Sequence, residues 1–300
     1  MPLTNDPPGI HDVPDEFTTA RVDVGDVEIF VRYGGSGRPL VLLHGYPESH
    51  HLWAPIAEAL ASEFTVVLPD LRGYGESGKP PSADDHSTYS KRAMAGDVRN
   101  LMHHLGFDVF DVAGHDRGGR VGYRLALDHP DAVRRLSVLD IVPTGEVWAR
   151  ADDRFALGYW HWPFLAQPSP VPETLIGRDP DWFFFDAQFG GIMRSFPALA
   201  EYSRYVNDPE VVRAICEDYR AGATYDRALD AADRAAGRRI GCPVQVLWGA
   251  KGVIGKWYDP LAVWRDWASD LTGEPLNSGH FLPEENPAAT TSALRRFHGD

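Results

Sequence analysis

The sequence predicts an α/β fold in which a mostly parallel sheet is interrupted by a helical insertion. The first observation is a series of short apolar runs, typical of strands covered on both faces, with helix-compatible segments between them. The second is the stretch after Pro143, which is rich in aromatic residues and helix formers and lacks strand alternation. The third is the return of the strand pattern at Pro243. Together they indicate alternating strands and helices with one late helical insertion.

Six strands are predicted in chain order, and most of them are fully apolar. They cover residues 27–33, 40–43, 64–68, 109–113, 136–139 and 244–248. Helices are predicted notably for residues 90–105 and 119–128. We expect a core in two parts, residues 1–144 and 239–300, with a helical cap at residues 145–238. The cap should lie over the carboxyl ends of the strands, where open α/β sheets bind their ligands.

Length and composition limit the possible functions. A chain of 300 residues that is 43% hydrophobic can bury a large core. Its formal net charge of −14 argues against a nucleic-acid partner, because phosphate binding needs a basic face. The chain begins with neither the basic region nor the apolar run of a secretory signal, and no segment reaches the length of a membrane span. We therefore expect a cytoplasmic protein with no membrane partner.

Cysteines and paired histidines do not indicate a metal site. Cys216 and Cys242 show no pairing pattern and are expected to be buried small apolar residues. The pairs at residues 50–51 and 103–104 are histidines adjacent in sequence, and adjacent residues do not share a helix face. The prediction is that the protein binds no metal.

A carboxylate stands at a strand-to-helix turn where a catalytic nucleophile is usually found. Residues 112–120 read Val-Ala-Gly-His-Asp-Arg-Gly-Gly-Arg, with strand-like residues before Asp116 and helix-like residues after it. Gly114, Gly118 and Gly119 provide the space that such a tight turn needs. The pattern predicts Asp116 as a nucleophile in the usual place of serine. The alternative is that Asp116 caps the following helix.

Two further residues complete the nucleophile, acid and histidine order of the α/β-hydrolase fold. His280 lies in the segment Asn-Ser-Gly-His-Phe-Leu-Pro-Glu, just before a predicted helix start. The acid has two customary places in this fold, and the later one carries Gly252. Asp140, directly after a predicted strand, is therefore the predicted acid. A helix cap or a surface carboxylate is the alternative role for Asp140.

A loop that stabilises an oxyanion is predicted at residues 43–47. This segment reads Leu-His-Gly-Tyr-Pro and resembles the oxyanion loop of the same fold. It predicts that the backbone N–H groups of Tyr46 and Arg117 stabilise negative charge on a reacting oxygen. An ordinary turn is the alternative. Residues 70–77 resemble the Asp-x-Arg-Gly-x-Gly-x-Ser loop of this fold, which has a structural role.

With these motifs placed, the chain resembles the Asp-nucleophile branch of the α/β hydrolases over residues 27–297. Within that branch it looks most like the fluoroacetate (haloacetate) dehalogenases. Haloalkane dehalogenases and epoxide hydrolases usually have Trp after the nucleophile, whereas this chain has Arg117 there and a second arginine at Arg120. The resemblance implies that both arginines bind a substrate carboxylate. It also implies that His161, Trp162 and Tyr219 hold the halide.

Each of these residues also has a structural alternative. The two arginines can pair with nearby carboxylates, Trp162 can be a core residue, and His161 can be a buried histidine with a protein partner. Four positions depart from the family pattern and leave the access path and substrate size open. They are Gly145, Val147, Gly158 and Trp160.

The resemblance implies a hydrolytic dehalogenase that acts on fluoroacetate or related short 2-haloacids. A covalent ester on the aspartate would be hydrolysed to a 2-hydroxyacid and halide, without a metal or organic cofactor. The small anionic haloacid would be its partner, and relatives imply a homodimer. One alternative is an epoxide hydrolase, for which tyrosines are available at residues 159, 202, 205 and 225. The other is a non-catalytic ligand receptor on the same fold.

Overall fold

An eight-stranded sheet forms the centre of the protein in the computed structural model, which describes residues 12–299. The strands are β1 (Thr18–Asp23), β2 (Glu28–Gly35), β3 (Arg38–Leu43), β4 (Phe64–Pro69), β5 (Phe110–His115), β6 (Val133–Leu139), β7 (Val244–Gly249) and β8 (Leu271–Leu276). Their order across the sheet is β1-β2-β4-β3-β5-β6-β7-β8. Strand β2 is antiparallel to β1 and β4, and the remaining neighbours are parallel. The predicted α/β-hydrolase fold with a mostly parallel sheet is confirmed.

Helices cover both faces of the sheet. Those of the core are α1 (Ala54–Ala61), α2 (Lys91–His104), α3 (Arg117–Asp128), α11 (Ile254–Trp257), α12 (Pro260–Arg265), α13 (Leu282–Glu285) and α14 (Pro287–His298). Strand β3 shows why its last four residues, 40–43, are all apolar. Leu40 and Leu42 belong to one hydrophobic cluster, while Val41 and Leu43 belong to the other. Successive side chains point to opposite faces, so a strand covered on both faces needs apolar residues at every position.

The segment between β6 and β7 is helical and contributes no strand among the described residues. Its helices are α4 (Thr144–Ala149), α5 (Asp153–Gly158), α6 (His161–Leu165), α7 (Val171–Ile176), α8 (Leu199–Val206), α9 (Pro209–Ala221) and α10 (Arg227–Ala235). Two π-helical turns, Trp182–Ala187 and Gly222–Asp226, lie between them. The predicted helical insertion is present, and we refer to it as the cap. Its limits at residues 145 and 238 stay a prediction.

Two strands of the sheet were not predicted from the sequence. These are β1 and β8, the two edge strands, whose side chains are mostly exposed or half-buried. Strand β8 also contains Gly273 and Pro275, residues that are unfavourable inside a sheet and are tolerated at its edge. The apolar signal is weak wherever only a small part of a strand faces the core.

Two smaller expectations are also decided. Cys216 is buried as predicted, whereas Cys242 is only half-buried, and both thiols are free. Within residues 12–299, no helix combines the length and apolar character needed to cross a membrane.

Candidate active site

Asp116 lies at a strained turn between β5 and α3. Its backbone has φ +42° and ψ −112°, outside the regions that L-residues favour, which costs about 1–3 kcal/mol. Glycines are required here, because a Cβ at Gly118 would lie 2.2 Å from the carbonyl oxygen of Leu43. A Cβ at Gly114 would lie 2.4 Å from the carbonyl oxygen of Gly118. The Asp116 side chain accepts no capping hydrogen bond from α3, which argues against the helix-cap alternative.

Asp140 and His280 are joined by a hydrogen bond. The His280 Nδ1 atom lies 2.6 Å from Asp140 Oδ2, and the Gly249 N–H donates to Asp140 Oδ1 at 2.9 Å. Asp140 is 1% exposed and therefore is not a surface carboxylate. A Cβ at Gly252 would lie 3.6 Å from Asp140 Oδ2, so the two customary places for the acid converge on the same point. This geometry orients His280 in the way that a catalytic base requires.

The electrostatics of the site couple His280 to Asp116. Burial by itself lowers the pKa of His280, but the hydrogen bond and charge of Asp140, with further contributions from Asp116 and Glu48, raise it to about 9. Burial likewise raises the pKa of Asp116, but His280, Arg120 and other cations outweigh it and lower the pKa below its usual range. In the free protein, Asp116 is therefore a carboxylate beside a protonated His280.

The predicted oxyanion loop contacts Asp116. The Tyr46 N–H donates to Asp116 Oδ2 at 3.2 Å. A Cβ at Gly45 would lie 2.7 Å from the Asp116 Cβ, which explains the glycine in this loop. The second predicted donor, the Arg117 N–H, stays a prediction.

A cavity of about 200 Å³ joins the predicted residues. It is lined by Tyr46, Asp116, Arg120, Asp140, Gly158, Tyr159, His161, Trp162, Gln188, Phe189, Tyr219, Gly252, Val253 and His280. Drug-sized ligand sites are typically about 300–1,000 Å³, so this cavity suits a smaller molecule. The carboxyl ends of β5 and β6, the loop after β8 and the cap all contribute to it, as predicted for the place of the cap.

The two predicted carboxylate-binding arginines have different surroundings. The Arg117 guanidinium is buried against Asp218 of the cap, with Nε 2.9 Å from Asp218 Oδ2. Its NH1 group is buried and has no hydrogen-bond partner, and the side chain is not part of the cavity lining. Arg120 lines the cavity, and its nearest carboxylate oxygen is Asp116 Oδ1 at 3.9 Å. Arg117 is thus paired with a protein carboxylate, which was the structural alternative for both arginines. Arg120 has no such close pair.

The three predicted halide-binding residues share one wall of the cavity. Among the described residues, no hydrogen bond involves the side chains of His161, Trp162 or Tyr219. Burial lowers the pKa of His161 to about 3, which outweighs the opposite effect of Asp116, so the ring is neutral at pH 7. The Arg117 guanidinium packs 4.3 Å from the Tyr219 ring, and the Arg120 guanidinium packs 4.6 Å from the Trp162 ring. Arginines and donors thus form one contiguous group.

Several residues at the site were not identified from the sequence. Asp218, the partner of Arg117, directly precedes Tyr219 on α9. Apart from this neighbour, no motif in the sequence points to Asp218 as a site residue. Gln188 and Phe189 line the cavity from an irregular part of the cap. The side-chain oxygen of Gln188 accepts a short hydrogen bond from the Tyr46 hydroxyl. Such residues become adjacent to the site through tertiary folding.

The sequence argument that the adjacent residues His50 and His51 cannot face the same site was wrong. They lie in a 3₁₀ turn, His50–Trp53, and their ring centroids are 4.0 Å apart. Together with Asp12, they place three possible ligand atoms within 4.8 Å of one another. His50 Nδ1 already lies 2.8 Å from Asp70 Oδ1. The absence of a metal stays a prediction.

The departures from the family pattern have structural explanations at the glycines. A Cβ at Gly158 would lie 2.5 Å from the Trp257 ring, and one at Gly145 would lie 2.8 Å from the Asp230 Cβ. Val147 is buried, and the Trp160 ring packs 5.7 Å from the Phe183 ring. Of these four positions, Gly158 lines the cavity.

Comparison with known proteins agrees with the fold. The family model for the alpha/beta hydrolase fold matches residues 38–287, and the chain belongs to this family. It is 47% identical to a fluoroacetate dehalogenase from Burkholderia sp, over 95% of this chain and 94% of that protein. The predicted resemblance and the predicted enzyme class, a hydrolase, are thereby confirmed.

Two further relatives are similar over most of the chain. The crystal structure of ALR0039 from Nostoc sp PCC 7120 has a TM-score of 0.89 and 48% identity, covering 94% of this chain and 98% of that one. A soluble epoxide hydrolase from Corynebacterium sp. (strain C12) is 36% identical over 88% of this chain and 91% of its own length. The relatives thus carry two different hydrolytic activities on one fold.

Proposed function

We propose that this protein is a hydrolytic dehalogenase of fluoroacetate or related short 2-haloacids. One observation carries the proposal: Asp116 and Arg120 share a small cavity with three hydrogen-bond donors that have no protein partner. A nucleophile, a cation for a carboxylate and donors for a leaving halide are what this reaction needs. The similarity to a fluoroacetate dehalogenase supports the same choice.

In the first step, an Asp116 carboxylate oxygen attacks the α-carbon of the haloacid. A carbon–oxygen bond forms, the carbon–halogen bond breaks, and the halide leaves with its bonding electrons. Arg120 binds the substrate carboxylate and offsets its repulsion by Asp116. Arg117, whose side chain lies outside the cavity lining, adds positive charge near Asp116. His161, Trp162 and Tyr219 donate hydrogen bonds to the halide in place of water.

In the second step, His280 removes a proton from water, and the oxygen attacks the carbonyl carbon of the ester. The Tyr46 and Arg117 N–H groups stabilise the oxyanion. As it collapses, the bond between the carbonyl carbon and the ester oxygen breaks, and the protonated His280 returns its proton to the departing oxygen, which gives the 2-hydroxyacid. Asp116 is left as a carboxylic acid, which loses its proton to solvent and becomes a carboxylate again. Esterification removes the negative charge of Asp116, one of the causes that raise the pKa of His280. The base is therefore better able to accept a proton in the intermediate than in the free enzyme.

Epoxide hydrolysis is the second candidate. Of the four tyrosines considered for it, Tyr159 lines the cavity, and Tyr219 is a further hydroxyl there. The Tyr202 hydroxyl instead donates to Glu284, and the Tyr205 hydroxyl accepts from Arg204. A buried arginine in the cavity serves an anionic substrate better than a neutral epoxide. A non-catalytic receptor is disfavoured by the hydrogen-bonded Asp140 and His280 beside Asp116.

The decisive experiment uses the His280→Gln variant with fluoroacetate and chloroacetate. We expect about one equivalent of halide per active site and then arrest, because the ester on Asp116 is not hydrolysed. Intact-protein mass spectrometry should show the added mass, and peptide mapping should place it on Asp116. A halide burst without an adduct contradicts the covalent step. If the unmodified enzyme releases no halide from any haloacid but opens epoxides, the second candidate is correct.

We further propose a cytoplasmic homodimer that uses no cofactor. Two free cysteines suit a reducing compartment. Five of the six exposed large hydrophobic residues among those described lie in the cap, which suggests an interface there. They are Leu157, Val171, Leu175, Trp182 and Ile192. Light scattering coupled to size-exclusion chromatography tests the dimer, and Trp182→Glu should weaken it.

A further inference from the structure

Three loops of the active site meet at one buried histidine. His115 directly precedes Asp116, and its Nε2 lies 2.8 Å from the backbone oxygen of His280. Its Nδ1 lies 3.1 Å from Oε2 of Glu48, which directly follows the oxyanion loop. The same Oε2 accepts the Gly45 N–H at 3.2 Å. His115 and Glu48 are both fully enclosed by protein.

The hydrogen-bond partners of His115 determine how many protons this contact contains. The His280 carbonyl oxygen only accepts, so His115 Nε2 must carry a proton. Glu48 Oε2 also acts as an acceptor, because the Gly45 N–H donates to it. A second proton must therefore lie between His115 Nδ1 and Glu48, on either partner. Without it, two lone pairs would face each other in a buried contact.

The contact between the buried Glu48 and Glu284 carboxyl groups also lacks a hydrogen-bond donor. Glu48 Oε1 and Glu284 Oε2 are buried, and neither has a hydrogen-bond donor among the described residues. The two carboxyl groups lie within hydrogen-bond contact of each other. The remaining oxygen of Glu284 accepts the Tyr202 hydroxyl at 3.1 Å. Burial and the charge of Glu48 raise the pKa of Glu284 well above its usual range. One proton shared by the two carboxyls satisfies both oxygens.

We propose that His115, Glu48 and Glu284 form a charge-neutral network, with one shared proton in each of its two contacts. This network positions His280 against the turn at Asp116 and the oxyanion loop. The network joins the residue before Asp116, the loop that presents the Tyr46 N–H, and the backbone of His280. These residues touch no substrate and act through the groups they orient. The kinetic consequence rests on the proposed function, whereas the proton count does not.

The neighbouring residue provides a matched contrast. The Glu285 carboxylate accepts two backbone N–H groups, from Gly279 at 2.6 Å and from Phe281 at 2.9 Å. It is therefore supplied with donors and needs no proton of its own. Two adjacent glutamates on one short helix are thus expected to differ in protonation at neutral pH.

Infrared spectroscopy of protein labelled with ¹³C at glutamate carboxyls tests the proton count. At pH 7 the wild-type spectrum should contain a carboxylic-acid C=O band that shifts with the label. Glu284→Gln should remove the intensity of one carboxyl, whereas Glu285→Gln should leave the band unchanged. Absence of a labelled carboxylic acid in the wild type overturns the proposal, even when a variant fails to fold. An unchanged band in Glu284→Gln also overturns it.

Kinetics test the positioning role. The Glu284→Gln variant keeps a donor toward Glu48 and an acceptor for Tyr202. The kcat of this variant should therefore stay within about twofold of the wild type. Glu284→Met removes the donor and should slow ester hydrolysis by about tenfold or more, while the initial halide burst is retained. Equal loss of both steps in Glu284→Met overturns the positioning role. If the wild type releases no halide at all, the proposed function fails, and the infrared result stands independently.

Discussion

Arg120 and Arg124 lie about one turn apart on α3, and both are buried, yet their partners differ. Arg124 donates to Asp233 Oδ2 at 2.6 Å and to Asp230 Oδ1 at 2.9 Å, and both aspartates belong to the cap. Arg120 donates from NH1 to the backbone oxygen of Val142 at 3.0 Å, while its Nε has no partner. One arginine is neutralised within the protein, and the other leaves its charge available to the cavity.

The same contrast between paired and available charges separates the cavity from the buried contact between the cap and the core. At the contact, the Asp218 carboxylate lies against Lys91, Arg117 and the Tyr74 hydroxyl, so that buried charges compensate one another. In the cavity, Arg120 and the donors around it have few or no protein partners. Buried polar groups are normally satisfied, so the unsatisfied groups that line this cavity are available to a ligand. The difference separates charges that stabilise the architecture from charges that are available to a ligand.

The largest effect is expected at Asp116, the proposed nucleophile, on the cavity side of this comparison. Asp116→Asn should lower halide release by about 10⁴-fold or more, because the amide is a poor nucleophile. The melting temperature should change little, since the amide has nearly the same shape. A halide electrode and thermal unfolding measure both quantities. Turnover that persists in protein shown by mass spectrometry to be free of deamidation removes Asp116 from the mechanism.

Matched variants of the two arginines test the comparison directly. At pH 8, Arg124→Met should lower the free energy of unfolding by about 3–5 kcal/mol, because it leaves buried carboxylates uncompensated. Burial raises the pKa of Asp230 to about 6, so Asp230 is ionised at that pH. Arg120→Met should instead lower kcat/KM on fluoroacetate by about 10²- to 10³-fold, since charge-assisted bonds of about 1.5–3 kcal/mol each are lost.

Chemical denaturation and steady-state kinetics on both variants measure these changes. Equal loss of stability in the two variants, with activity retained in Arg120→Met, would mean that both arginines are architectural.

Substitutions in the cavity wall formed by His161, Trp162 and Tyr219 should affect the two leaving groups differently. His161→Asn and Tyr219→Phe should each slow defluorination by about 10- to 100-fold, as expected for one hydrogen bond to a charged group. Dechlorination should fall less, because chloride depends less on hydrogen-bond donors. Single-turnover release of fluoride and chloride measures the ratio. Identical losses for the two halides argue against a wall dedicated to fluoride.

The smallest effect concerns stability as a function of pH. The pKa of His280 is raised from 6.5 to about 9, so the protonated form is favoured in the folded state. This contribution is fully present below about pH 6.5 and is lost as the pH rises through about 9. The melting temperature of the wild type should therefore fall across this interval more steeply than that of His280→Gln. Parallel curves for the two proteins contradict the raised pKa.

Sequence reasoning succeeded where a signal is local. The strands near the middle of the sheet were recognised because both faces are covered, and Asp116 was recognised because a strained turn requires glycines around it. It failed for β1 and β8, where the residues face solvent as much as the core. The argument about His50 and His51 failed because it assumed an α-helix, whereas a 3₁₀ turn brings the two rings together.

The sequence by itself determined the alternation of strands and helices, the tight turn at Asp116 and the order of Asp140 and His280 along the chain. These features depend on periodicity and on short-range steric needs, which neighbouring residues express. Only the tertiary structure decided which of three arginines on α3 keeps a free charge. Arg117 is paired with Asp218, and Arg124 with Asp230 and Asp233, all from distant parts of the chain. The proton-sharing contacts of Glu48 with His115 and Glu284 arise in the same way. Electrostatic interactions act across space, so residues far apart in sequence set the charge of the site.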